Sequence, residues 1–144
     1  MIEALVDTNI LIYAHHKQEI KKHETCARVV NELIDNDGLI LSIQNLVEFS
    51  RVLREKSFPL IDQSLVRQYV FDLSESSKVI YYNAHTVMDA LTLSKDNNLH
   101  FFDALVAATM QENGISRIIT ENSKDFKKIP WLEVENPFGA IKEK

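Results

Sequence analysis

The sequence predicts an α/β protein, a three-layer α/β/α domain with a parallel central sheet of four to five strands. Short apolar runs alternate with longer segments whose apolar residues recur at helical spacing. The runs are apolar nearly throughout, as strands covered on both faces are, and helices crossing over a sheet provide that cover. No repeat, low-complexity tract or Pro/Gly-rich linker divides the 144 residues, so a single domain over 1–144 is expected.

Taken in order, Glu3 to Val6 reads as a first strand ending at Asp7, and Asn9 to Ala14 begins a helix. From Thr25 to Asn36 the residues Cys26, Val29, Val30, Leu33 and Ile34 mark a helix, closed by "NDG" with a glycine in the usual C-terminal position. "LILSI", Leu39 to Ile43, is a buried strand and Gln44 to Lys56 a helix. Asp62 to Leu73 is helical through Val66, Tyr69 and Val70. Val79 to Tyr82 is a short strand before a helix over Ala84 to Lys95. Asp103 to Glu112 is a further helix stopped by Asn113-Gly114, "RIIT" (Arg117 to Thr120) a buried strand, and Leu132 to Glu135 the last.

Composition narrows the function. Hydrophobic residues at 45% and charged residues at 26% are ordinary for a soluble globular chain. No apolar run approaches a membrane span and the N-terminus lacks a signal-peptide layout, so a cytoplasmic protein is expected. Cys26 stands alone, which excludes an intrachain disulfide and a cysteine-based zinc site. A net charge of −5 argues against coating nucleic acid by bulk electrostatics. It leaves a nuclease open, because bound divalent cations reverse the local field. The basic groups Lys17/Lys21/Lys22, Arg51/Arg54/Lys56 and Lys124/Lys127/Lys128 read as solvated surface charge. His15 and His16 are adjacent and cannot form a zinc pair on one helix face, and His23, His85 and His100 are isolated. No Walker A, GxGxxG or GxSxG sequence occurs.

The acids are placed more tellingly. Ligands of open parallel sheets bind beyond the carboxyl ends of the strands. Asp7 lies at such an end, Glu48 in the helix after "LILSI", and Asn122 and Asp125 beyond "RIIT"; Asp103 opens a helix. Each has a plain alternative. Asp103 could be an N-cap, Asp125 a turn residue, and Glu48 part of a solvated stripe with Gln44, Arg51 and Glu55, paired to Arg51. Asp7 has the poorest alternative, because apolar residues flank it in "LVDTNILIYA". Carboxylates gathered at one sheet edge repel unless a cation sits between them, and hard oxygen ligands suit Mg²⁺ or Mn²⁺.

The segments "LVDTNILIYA", "LSIQNLVEFSRVL", "FFDALVAATMQENG" and "RIITENSKDF" together resemble the PIN-domain ribonucleases, in particular the VapC-type toxins of toxin–antitoxin pairs. The resemblance implies a PIN-like, Rossmann-like fold and a metal-dependent ribonuclease hydrolysing RNA phosphodiesters, leaving 5′-phosphate and 3′-hydroxyl ends. Asp7, Glu48 and Asp103 match the acidic positions of that family's metal site, Thr8 and Asn9 its small polar neighbours, and Thr120 the hydroxyl beside the fourth position. The fourth position falls on Asn122, with Asp125 in the "DF" that follows. Strand alternation sends Thr120 and Asn122 one way and Glu121 the other. Catalysis is therefore expected from Asp7, Glu48, Asp103, Asn122 and Asp125, with Mg²⁺ or Mn²⁺ on Asp7, Glu48, Asp103 and Asn122. The resemblance also implies an RNA substrate, a small cognate antitoxin and a homodimer. Two other readings remain: a non-catalytic PIN-like RNA-binding or assembly module, and a phosphoaspartate receiver, which needs an acidic pair near the first strand where Asp7 is alone.

Overall fold

The protein is described by a computed structural model, in which residues 2–139 are placed; the expected domain over 1–144 runs past them at both ends. Five parallel strands, β1 (Ala4–Val6), β2 (Leu39–Ser42), β3 (Lys78–Ile80), β4 (Arg117–Ile119) and β5 (Glu133–Glu135), form one sheet in the order β3-β2-β1-β4-β5. β1 is central, with Leu5 opposite Ile40 of β2 and Ile118 of β4. Strand order reverses between β1 and β4, where an open α/β sheet leaves its crevice.

The helices are α1 (Thr8–His15), α2 (Ile20–Asp35), α3 (Ile43–Glu55), α4 (Gln63–Ser76), α5 (Ala84–Asn97), α6 (Phe101–Glu112) and the short α7 (Ser123–Phe126). Strand alternation divides the core in two. Ala4 and Val6 of β1 pack with Ile10, Val30, Phe49, Leu53 and Val66 on one face of the sheet. Leu5, Ile40 and Ile118 pack with Ala90, Leu105, Val106, Met110 and Phe126 on the other. All are buried, so each strand needs apolar residues on both faces, which is why these runs read as continuous.

The expected elements are present, most with ends moved by one to three residues; α2 starts five residues earlier than expected. Capping explains several ends. The Ser42 hydroxyl accepts from the Asn45 backbone N–H at 3.0 Å while Asn45 Oδ1 accepts from the Ser42 N–H, which starts α3 at Ile43. Asp62 and Asn83 cap α4 and α5. The N-cap of α6 is His100, without a side-chain cap bond, so Asp103 sits inside the first turn and is not the helix's cap. The glycine of "NDG" is also displaced from its expected role. Asp37 takes the left-handed backbone at φ 56°, while Gly38 lets the chain pass close to β1, where its carbonyl accepts from the Ala4 N–H at 3.0 Å. A Cβ at Gly38 would lie 3.4 Å from the Ile2 carbonyl, which is ordinary contact.

Gly114, after α6, has a φ of 70° with open space around its missing Cβ. Gly114→Ala therefore costs only the left-handed conformation, about 1 kcal/mol, and should lower the melting temperature by roughly 2–5 °C. Gly38→Ala should leave it close to the parent's. Thermal unfolding of both variants, followed by circular dichroism, checks the contrast.

Candidate active site

The four sequence segments meet at the β1/β4 crevice. Asp7, Thr8, Asn9, Ile12, Tyr13, Gln44, Glu48, Phe102, Asp103 and Asn122 are among the residues lining one cavity of about 390 Å³. Asp7 reaches it because β1 ends there. Its backbone N–H still bonds the Ile119 carbonyl at 2.9 Å, and its Oδ1 accepts from the Thr8 N–H at 2.8 Å as the N-cap of α1. Thr120, fully buried at the end of β4, donates its hydroxyl to Asp7 Oδ2 at 2.7 Å. The same hydroxyl accepts from the Asn122 N–H at 2.9 Å, turning the chain so that Asn122 faces the cavity.

Each cavity acid is held by a neutral donor. Thr120 serves Asp7, Gln44 Nε2 donates to Glu48 Oε1 at 3.0 Å, and Asn122 Nδ2 donates to Asp103 Oδ2 at 3.2 Å. Among the described residues the ion pairs lie elsewhere, Lys22–Glu121, His85–Asp89, Arg117–Glu135 and Lys128–Asp125, and none involves Asp7, Glu48 or Asp103. The negative charge is thus oriented but not neutralised. Burial, then repulsion from Asp103 and Glu48, pushes the Asp7 carboxyl up to about 6, with the Thr120 and Thr8 hydrogen bonds working the other way. Asp103 is also raised, by burial first and then by the charges of Asp125 and Glu48.

Glu121, as expected, lies off the cavity. It accepts from Tyr13 Oη at 2.9 Å and pairs with Lys22 Nζ at 2.6 Å, so one of the basic residues expected to be plain surface charge has a structural partner. Asp125 is not among the lining residues; it sits on α7, 3.5 Å from Lys128, and its charge helps raise the Asp103 carboxyl. Glu48 makes no pair with Arg51 among the described residues, and the stripe expected to be solvated contains a buried member, Gln44. The sequence offered Gln44 only as a member of that stripe and did not single out Asn45. Asn45 Nδ2 donates to the Thr8 hydroxyl at 3.1 Å, and Asn9 Oδ1 accepts from the Glu121 N–H at 3.3 Å. The polar residue four positions before Glu48, on the same helix face, was the available signal for Gln44.

The donor set, three carboxylates and an amide, has the hard-oxygen chemistry that Mg²⁺ or Mn²⁺ takes. Among the described residues no three His, Cys, Asp or Glu side chains are gathered closely enough to chelate an ion as they stand. Asn122 turns its amide N–H₂ to Asp103, acting as a donor to a carboxylate.

Two outcomes follow from this charge balance. Asp7 ionises near pH 6 in the folded chain and near 3.8 unfolded, so its contribution to stability is full below about pH 4 and lost as pH rises through 6. In EDTA, Asp7→Asn should melt higher than the parent at pH 7.5, with the difference shrinking or reversing by pH 4. Asn122→Asp replaces a donor with a charge facing Asp103, so its metal-free form should melt lower than the parent. Millimolar Mg²⁺ should then raise its melting temperature more than the parent's, read by the same thermal scans.

The chain resembles known proteins over most of its length. The chain is 29% identical over 135 residues to Ribonuclease VapC2 of Rickettsia felis, covering 92% of this chain and 96% of that protein. A toxin–antitoxin complex from Klebsiella pneumoniae contains a chain that superposes with a TM-score of 0.70 at 21% identity, over 94% of this chain and 98% of that one. The crystal structure of VapBC2 from Rickettsia felis bound to a DNA fragment from their promoter gives 0.69 at 20% identity, over 94% and 98%. The family model described as PIN domain matches residues 4–132, a span that holds every residue of the cavity. The chain belongs to the PIN domain family.

Proposed function

We propose that this protein is a divalent-metal-dependent endoribonuclease, the toxin of a toxin–antitoxin pair. The observation that carries the proposal is the cavity at the strand-order reversal, where Asp7, Glu48 and Asp103 are fixed by neutral donors and left without a cationic partner among the described residues. A chain that wanted those charges merely satisfied would put lysine or arginine against them, since an unpaired buried charge costs several kcal/mol, roughly. The likeness to a protein named Ribonuclease VapC2 supports RNA as the substrate.

Asp7, Glu48 and Asp103 would hold Mg²⁺ or Mn²⁺, with Asn122 beside them. A bound divalent ion supplies a lower pKa for water and a counter-charge for the phosphate and the leaving oxygen. The protein's own part is orientation. Thr120 and the Thr8 N–H fix both oxygens of Asp7, and Asn122 fixes Asp103. Ile12, Val52 and Val106 line the same cavity. The products would carry 5′-phosphate and 3′-hydroxyl ends, with no side chain serving as covalent nucleophile.

The partners proposed are RNA, a small cognate antitoxin and a second copy of the chain. One solved structure of similar fold is a toxin–antitoxin complex and another is VapBC2 bound to promoter DNA, and an acidic cavity is a ready seat for a guanidinium from another chain. No helix among the described residues is long and apolar enough to cross a membrane. The reading as a non-catalytic RNA-binding module draws on one observation, that the acids are not gathered into a chelating cluster.

Asp103→Asn separates these readings, because it keeps the shape of the side chain and removes one charge. Cleavage of RNA in Mg²⁺ should fall to background while the circular dichroism spectrum is retained and the melting temperature in EDTA stays at or above the parent's. Cleavage at the parent's rate by purified Asp103→Asn protein, or no thermal shift of the parent with Mg²⁺, Mn²⁺ or Ca²⁺, would overturn the catalytic reading in favour of the module.

A further inference from the structure

Gln44 is the polar side chain that the proposed chemistry leaves over. It is only 5% exposed, near the start of α3, and it stands where the cavity wall joins α3 to α6. Nε2 donates to Glu48 Oε1 at 3.0 Å, one helical turn on, and to the Phe102 carbonyl at 3.0 Å. Both partners are acceptors, so the amide has one workable orientation. Turned over, Oε1 would face a carboxylate and a carbonyl. The orientation leaves Oε1 buried with no hydrogen-bond partner, the one side-chain polar atom in that condition among the described residues. A buried orphan acceptor is costly and rare, and it persists where the arrangement it belongs to does something else.

What it does is visible in the two bonds. Phe102 immediately precedes Asp103, so the Gln44 amide ties the Glu48 carboxylate to the turn that carries Asp103. Glu48 has a flexible stem and faces two like charges, and both Asp7 and Asp103 register its repulsion. Untethered, it would swing towards solvent, and gathering it back would be charged against ion binding. We infer that Gln44 is a positioning residue, which holds the Glu48 carboxylate at a set distance from Asp103 so that the two can share one divalent cation. The inference rests on reading the cavity as a cation site.

The test is a double-mutant cycle on the full chain, free of RNA and partner, with Mn²⁺ affinity read by electron paramagnetic resonance. Gln44→Leu removes the tether and the orphan oxygen together, so folding and melting temperature should hold or improve. Mn²⁺ affinity should fall roughly tenfold or more, the scale at which groups supporting a metal ligand act. In a Glu48→Gln background, Gln44→Leu should cause no further loss, because the tether then has no carboxylate to hold. A structural role would add the same loss in both backgrounds. Gln44→Met is measured in parallel, so the result does not depend on one variant folding. Additive losses, or an unchanged affinity in both Gln44 variants while Glu48→Gln weakens binding, overturn the role of Gln44 alone. A Glu48→Gln protein that binds Mn²⁺ as tightly as the parent overturns the cation site itself, and the inference with it.

Discussion

The hydrogen bond from the Thr120 hydroxyl to Asp7, 2.7 Å long between residues 113 apart in the chain, is the contact on which the site depends. It joins the ends of the two strands between which the sheet changes direction, where the strands' own ladder has just stopped. Asp7 is set by it, by the Thr8 N–H and by the Ile119 carbonyl on its own backbone N–H, so neither its backbone nor its carboxylate has freedom left. Thr120, by accepting from the Asn122 N–H, also sets the direction in which the following loop leaves. One hydroxyl thereby places residues from two of the four segments that meet in the cavity.

The nature of the donors matters as much as their position. A hydroxyl and two amides orient the three carboxylates without cancelling their charge. Full cations are kept to the margin. Lys22 is spent on Glu121, with its ammonium 4.8 Å from the Tyr13 ring centre, and Lys128 on Asp125. The site therefore holds a strong negative field in a half-buried crevice. Its stability cost appears in the raised Asp7 and Asp103 carboxyls and is offset by the apolar packing beneath, where Leu5, Val6, Ile118 and Ile119 are almost wholly buried. A stable double-faced core is what lets the sheet edge carry such a conflict.

Much of this was legible in the sequence because it is local. Continuous apolar runs such as "LILS" and "RII" mark strands covered on both faces, and 3.6-residue periodicity marks α2, α3 and α4. An acid amid apolar residues at a strand end marks Asp7, although its role as the N-cap of α1 was not read from the sequence. Strand alternation separates Glu121 from Thr120 and Asn122 without any knowledge of the fold. Where local rules compete, the sequence is ambiguous. Asp37 and Gly38 can both end α2, and in the folded chain it is Asp37 that takes the left-handed backbone while the Gly38 carbonyl bonds the Ala4 N–H.

Tertiary structure alone decided the partners. Whether Glu48 lies on a wet stripe or in a cavity depends on α6 covering α3 at Phe102, and the same contact buries Gln44. Whether Asp103 caps its helix depends on where the chain arrives from α5, and it arrives so that His100 takes the cap. Asp125 and Asn122 are equally polar in sequence, yet the turn set by Thr120 brings only Asn122 to the cavity. The physical reason is the same throughout. Periodicity and propensity are set by neighbours within about one helical turn or two strand residues, whereas a hydrogen-bond partner is chosen by which distant segments the packed core holds within about 3 Å of each other.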